Sequence, residues 1–401
     1  MSGHLLGVYN RAPIEVERGE GVRLHAKDGR VFLDLVQGIA TNGLGHAHPK
    51  LVEALKAQAE KLWHVSNIFR IPDQEVLADR LCETSFADAV FFTNSGTEAI
   101  ECALKMARKY HSAKGAPERI DVITFEGAFH GRTYAAVNAG GNPTYTDGFG
   151  PKLPGYVYLP FGDHEALKAA AAAPTTAAIL VEPVQGEGGA RAIPEGCLRG
   201  LRELCDQHGI LLIFDEVQCG MGRTGKLWAY EWAGAAPDIL ATAKALGGGF
   251  PVGACLASAE AASGMGVGAH GSTFGGNPLA MAVALAAFNE ITKPETLAHV
   301  TEVGQYLAQQ LHGLKERLPD QVVDIRGKGF LIGVKLVANN REVMALARDH
   351  GLLVAGGGDN CIRLLPALIL TQEDAREAVD RLEQTLLAVR AKTQAAVEAG
   401  A

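Results

Sequence analysis

Between Ala89 and about Ser258 the chain alternates short, continuous apolar runs with segments of helical period, and this rhythm leaves few folds open. The runs are AVFF, IDVITF, AAILVEPV, GILLIFDE and GACLAS, with Ile100-Ala103-Ala107 and Leu198-Leu201-Leu204 marking helices between them. An apolar run without alternation suits a strand buried on both faces, and helices between such strands build a chiefly parallel α/β sheet. The flanks read differently. VRLH and VFLDL alternate around Asp28-Gly29, a hairpin signal. A helix is predicted from Pro49, with Leu51, Leu55, Ala59 and Leu62 on one face, and another from near Asp73. Beyond these, a long amphipathic helix is predicted from Pro294 to Leu318, then VVDIRG, FLIGVKL, a helix over about 341–350, LLVA and CIRLL. Thr371 with Asp374 opens the last helix in a capping-box variant. The pattern predicts a large domain over 61–292 and a smaller α+β domain drawn from residues 1–60 and 293–401.

Charge and composition narrow the function. The 37 basic and 45 acidic residues leave a formal charge of −8, which argues against nucleic acid or an anionic membrane as partner. The first residues show no basic segment followed by an apolar core, so no secretory signal is expected. The longest stretch without Asp, Glu, Lys or Arg, from Ala261 to Asn289, carries clustered glycines and Pro278 and is not expected to span a membrane. Seven cysteines without a CxxC pair read as free thiols in a reducing cytoplasm. Glycine, at 48 of 401 residues, exceeds the usual share of about 7% and gathers in short loops, where backbone must approach something closely.

Gly220-Met221-Gly222-Arg223-Thr224-Gly225 fits G-x-G-x-x-G and raises the alternative of an NAD-dependent oxidoreductase. That fingerprint needs a strand running straight into the first glycine and a helix opening on the last. Here Asp215 to Cys219 intervene between the run ILLIF and Gly220, so the context fails.

Asp215 is more informative. It ends ILLIF, at the carboxyl end of a buried strand, where ligands gather in open α/β sheets. A helix cap or salt bridge would satisfy it as well as a ligand. Lys244 stands 29 residues on (244 − 215) in TAKALGGGFP, among small and apolar neighbours. Most lysines are simply solvated. Together, however, these two match what pyridoxal phosphate requires: an amine to form an imine and a carboxylate to keep the pyridine nitrogen protonated. Asn94-Ser95-Gly96-Thr97-Glu98 joins AVFF to a helix, whose first N–H groups beside a glycine can hold a phosphate. Ser95 and Glu98 also form a capping box that needs no ligand. Arg132 lies in AFHGRT beside Phe129, an aromatic able to stack on a planar ring, and Arg363 sits inside the apolar run CIRLL. For each arginine a substrate carboxylate and an internal salt bridge are both open, and Glu187 in EPVQGEGG is a candidate internal anion. His46 and His48 have no companion ligands, so no metal is expected.

These residues stand in segments that run in order along nearly the whole chain: GIATNGLGHAHP, LWHVSNIF, FFTNSGTEA, AFHGRT, DGFGPK, VEPVQGEGG, FDEVQCGMGRTG, PDILATAKALGGGFPVGA, HGSTFGGNP and IRLLP. In them the chain resembles the class III aminotransferases of the fold-type I pyridoxal phosphate enzymes, and among these the bacterial acetylornithine branch. The resemblance implies an α/β large domain with a mainly parallel sheet and a smaller α+β domain built from both chain ends. It implies that Lys244 forms the imine and moves the proton, Asp215 pairs with the pyridine nitrogen, and Gln218 lies near the ring hydroxyl. Val217 and Phe129 would sandwich the ring, and Ser95, Gly96 and Thr97 would hold the phosphate. Thr273 would reach in from the second subunit, giving a homodimer with shared active sites. Ser272 and Arg132 would contact N2-acetylornithine. Arg363 would take the α-carboxylate of glutamate, with Glu187 filling that place when the substrate lacks the group. The implied reaction is a cytoplasmic, ping-pong transfer of the terminal amine of N2-acetylornithine to 2-oxoglutarate, in arginine biosynthesis. Ornithine, 4-aminobutyrate, succinylornithine and succinyldiaminopimelate are alternative donors. Tyr9 lies close to where ornithine aminotransferases place a substrate-binding tyrosine, and Phe274 and Cys219 depart from the usual motifs.

Overall fold

The computed structural model describes residues 4–398. Its centre is a seven-stranded sheet in the order Ala89–Thr93, Gly253–Ala257, Ile239–Thr242, Leu211–Asp215, Thr176–Val181, Asp121–Phe125, Tyr156–Leu159. Gly253–Ala257 runs antiparallel to both neighbours. All other adjacent pairs are parallel. The four strands Thr176–Val181, Leu211–Asp215, Ile239–Thr242 and Gly253–Ala257 are buried at every position, which is why their sequences run apolar without alternation. Leu180 and Ile213 pack with the helix Gly96–Ala113 on one face, whereas Ile179, Leu212 and Phe214 pack with Leu198 and Leu201 of the helix Glu195–His208 on the other.

Two strands of this sheet escape the sequence pattern. Ile239–Thr242 has only four residues and runs directly into the small residues before Lys244, while Tyr156–Leu159 lies at the sheet's edge and is only partly buried. The helix Pro278–Ile291 also escapes it. It buries residues all round, so no polar face marks its period. Its start is well specified nonetheless: Pro278 takes the first turn, and the Asn277 side chain accepts the Ala280 N–H at 2.9 Å. One expectation is corrected. The helix from Pro49 ends at Ala59, so Leu62 lies outside it and is 46% exposed.

The chain ends meet as anticipated. The hairpin Arg23–Ala26/Val31–Asp34 forms, and Leu352–Leu353 from the far end adds to it in parallel. A second, antiparallel sheet runs Val322–Lys328, Leu331–Leu336, Cys361–Leu364, Ala355–Gly357. The helices Pro294–Arg317 and Gln372–Glu398 pack on each other beside these sheets. Thr371 caps the latter, its hydroxyl accepting the Asp374 N–H at 3.1 Å while the Asp374 carboxylate accepts the Thr371 N–H at 3.2 Å.

Candidate active site

The carboxyl ends of the parallel strands surround a cavity of about 380 Å³. Five strands deliver side chains or loops to it: Asp215 ends one strand, Glu182 follows Thr176–Val181, and Lys244 follows Ile239–Thr242. The loop with Phe129 and Arg132 follows Asp121–Phe125, and the start of the helix Gly96–Ala113 follows Ala89–Thr93. This is where a doubly wound sheet opens for a ligand.

Lys244 begins a one-turn 3₁₀ helix with φ of 48°, a left-handed conformation unusual for a residue with a side chain. Glycines hold the turn behind it: a Cβ on Gly247 would lie 1.9 Å from the Phe250 carbonyl oxygen. The Lys244 side chain touches the cavity's open space but lies deep in the protein. Burial first, and then the Arg363 charge, push its pKa down to about 8 against the opposing pull of Asp215, Glu187 and Glu182.

Asp215 is 3% exposed and held from two sides. Its Oδ1 accepts the Val217 N–H at 3.0 Å, and its Oδ2 lies 2.7 Å from His130 Nδ1. Burial opposes protonation of His130 more than any other single factor, yet the hydrogen bond and charge of Asp215, with Glu182, outweigh it and the pKa rises. The imidazole therefore donates Nδ1–H to the carboxylate; its buried Nε2 has no partner. Glu182, buried, accepts N–H groups from Phe129 at 3.0 Å and Gly186 at 2.9 Å, tying together the loops that carry Arg132 and Glu187. Burial, then the charge of Asp215, raise its pKa to about 7.

At the other end, Ser95 accepts the Glu98 N–H at 3.4 Å, so the capping interaction exists. It leaves the N–H groups of Gly96 and Thr97 at the helix start without intrahelical partners. Space there is kept by glycine: a Cβ on Gly96 would lie 2.6 Å from Val217 Cγ1, and one on Gly131 (φ 130°) would lie 2.2 Å from Thr97 Oγ1. The Thr97 hydroxyl accepts the Arg132 N–H at 3.3 Å, so it anchors the arginine's loop.

The two arginines differ. The Arg363 side chain is 2% exposed and donates to Glu187 at 2.6 Å, to Gln218 Oε1 at 3.0 Å and to the Gly356 carbonyl at 2.8 Å. Arg132 is exposed and pairs with no carboxylate among the described residues. Its guanidinium lies 3.9 Å from the ring centroid of Tyr145 and 5.6 Å from that of Phe129.

Ser95, Gly96, Thr97, Phe129, Arg132, Glu187, Asp215, Val217, Gln218 and Lys244 thus line one cavity, and Arg363 reaches it through Glu187 and Gln218. Ser272 and Thr273 do not join them within one chain; they line a neighbouring cavity of about 400 Å³ that shares Asn94. Tyr9 is 72% exposed and lies outside both cavities. The GMGRTG segment opens no helix at Gly225, which removes the dinucleotide reading. Sequence reasoning missed Glu182, His130 and Tyr145. Glu182 carries the same signal as Asp215, an acid ending a continuous apolar run, and His130 stands inside the quoted AFHGRT; Tyr145 has no local signal.

The residues fit pyridoxal phosphate. An amine of lowered pKa, a carboxylate fixed by two donors and a helix start cleared by glycines surround one cavity. The comparisons agree. The family described as aminotransferase class-III matches residues 8–386. Acetylornithine aminotransferase 2 of Caulobacter vibrioides is 71% identical over 393 residues, 98% of this chain and 97% of that one. The N-acetylornithine aminotransferase of Stenotrophomonas maltophilia K279a superposes with a TM-score of 0.84 at 38% identity, over 96% and 98% of the two chains. The ornithine aminotransferase of Toxoplasma gondii ME49 superposes at 0.93 with 32% identity, over 97% and 94%. With this fold, this cavity and these relatives, the chain belongs to the class III aminotransferases and is a pyridoxal phosphate-dependent transaminase.

Proposed function

We propose that this transaminase moves the terminal amine of N2-acetylornithine to 2-oxoglutarate, in arginine biosynthesis. The observation that carries the proposal is the pairing of one open and one occupied arginine across the Lys244 cavity. Both substrates bring a carboxylate far from the reacting amine, and the unpaired Arg132 can receive it. Only glutamate brings a second carboxylate next to that amine, where Arg363 stands. While acetylornithine is bound, Glu187 keeps that buried guanidinium paired, which avoids the cost of an isolated charge.

On this reading Gly96 and Thr97 hold the cofactor's phosphate with Ser95 beside them, Phe129 and Val217 flank its ring, and Gln218 lies near its hydroxyl. Asp215 faces its ring nitrogen, supported by His130. Pyridoxal phosphate, when bound, supplies an electron sink for the pair released at the substrate carbon. The Lys244 amine, close to neutral at physiological pH, takes and returns the proton at that carbon, a role worth roughly 10²–10⁴-fold.

The assembly belongs to the same proposal. Trp63, Ile68, Phe69 and Phe274 are 59–82% exposed. They sit on segments joined by Asn67, which donates to the Gly275 carbonyl at 2.9 Å. A large exposed apolar patch marks an interface, and a second copy seated there would bring its Ser272 and Thr273 towards this cavity. The boundaries near residues 60 and 292, and a cytoplasmic site suited to seven free cysteines, complete the proposal.

The test is a comparison of kcat/KM for N2-acetylornithine, N-succinylornithine, ornithine and 4-aminobutyrate with 2-oxoglutarate as acceptor. Acetylornithine is expected to lead. A higher value for ornithine or 4-aminobutyrate would refute the substrate, though not the transaminase.

A further inference from the structure

We infer that Arg223 is a positioning residue for Arg363, fixing the strand pair that carries it. Arg223 belongs to the GMGRTG segment that no other role has absorbed. It is 1% exposed, and no carboxylate among the described residues bonds to it. Burial lowers its pKa only to about 10, so it is charged at neutral pH. Its Nε and Nη2 have no hydrogen-bond partner. An isolated buried cation is costly, and an apolar side chain of similar volume would serve packing alone at less cost. The charged fork must therefore be judged by what it holds.

Its Nη1 donates to the carbonyls of Phe330, at 3.4 Å, and Pro366. The Phe330 N–H in turn donates to the Arg223 carbonyl at 2.9 Å. Phe330 enters the strand Leu331–Leu336 and Pro366 leaves the strand Cys361–Leu364; the two pair antiparallel, with Gly333 opposite Arg363. One guanidinium thus grips both chains at the same end of this ladder and ties them to the loop that starts at Asp215. The contact has little slack, since a Cβ on Gly329 would lie 2.6 Å from the Thr224 carbonyl carbon. Arg363 is consequently held twice, at its guanidinium by Glu187 and Gln218 and at its backbone by Arg223.

This inference rests on the proposed role of Arg363 towards glutamate. The test follows the two half-reactions of the holoenzyme separately, in single turnovers. Arg223→Met is expected to raise the concentration of glutamate needed for half-maximal rate roughly tenfold, because a small displacement of a binding group is expensive, while the acetylornithine half-reaction stays within about twofold. Arg363→Ala runs beside it. If Arg363→Ala affects glutamate selectively but Arg223→Met slows both half-reactions equally, or neither, Arg223 only supports the fold and the inference fails alone. If Arg363→Ala itself slows both equally, the reading of Arg363 fails and takes this inference with it. Should Arg223→Met yield no folded holoenzyme, Arg223→Lys, which keeps the charge and can reach one carbonyl, decides by the same split.

Discussion

Arg132 and Arg363 approach the same cavity and are kept ready in opposite ways. Arg132 stays in solvent, supported by the faces of Tyr145 and Phe129, with no carboxylate to displace. Arg363 is buried, and Glu187 and Gln218 already occupy its donors. An anion meeting Arg132 gives up only water. An anion meeting Arg363 must dislodge a carboxylate that is itself about one-third exposed and so able to leave. The difference teaches how one site can accept two substrates. The open cation serves the feature they share, and the occupied one responds only to the substrate that brings a replacement.

Breaking the occupied side should give the largest effect. Arg363→Ala is expected to slow the glutamate half-reaction by roughly 10²-fold, the usual scale for truncating one partner of a buried, hydrogen-bonded charge pair. Stopped-flow traces with each amine donor would show it, and an equal loss with acetylornithine would erase the distinction between the arginines.

A second test uses Lys244 as a probe of the two charges. Arg363 lowers its pKa, whereas Arg132 is not among the causes of that shift. An amine at about 8 in the folded chain and 10.5 otherwise binds fewer protons folded than unfolded between those values. Its burden on stability is therefore complete below pH 8 and disappears above 10.5. In the cofactor-free protein, Lys244→Met should raise the unfolding free energy by roughly 2–3 kcal/mol at pH 7, with the gain shrinking as pH rises through 8 to 10.5. Urea unfolding at several pH values would measure this. The same substitution made on an Arg363→Met background should gain less, and on an Arg132→Met background as much. A gain that ignores pH would mean the amine is not held near neutrality.

The open side should yield the smallest change. Tyr145→Leu removes the ring under Arg132, and a loss of about 0.5–1 kcal/mol would raise KM for both donors roughly two- to fivefold with kcat unchanged. Tyr145→Phe keeps the ring and should match the parent. A fall in kcat instead would place Tyr145 closer to the chemistry than the stacking implies.

Much of this site is legible in sequence because its carriers sit where local pattern is strongest. Asp215 closes the apolar run ILLIF, Lys244 interrupts a glycine-rich apolar loop, and Ser95 to Glu98 spell a helix start; the structure gathers all three. Glu182 could have been found by the rule that found Asp215. His130 and Tyr145 could not be given partners from their neighbours. The hydrogen bond from His130 to Asp215 spans 85 residues, and Tyr145 meets Arg132 across a loop and a turn.

The sequence by itself determined the buried parallel sheet, the amine and the acid at its carboxyl edge, and the helix start beside them. Hydrophobic period and chain punctuation are local properties, and each residue carries its own share of them. Tertiary structure alone decided which arginine would be free. Charge is identical in Arg132 and Arg363, and only the distant groups brought to each, aromatic faces for one and Glu187 with Gln218 for the other, separate a solvated cation from a buried, occupied one.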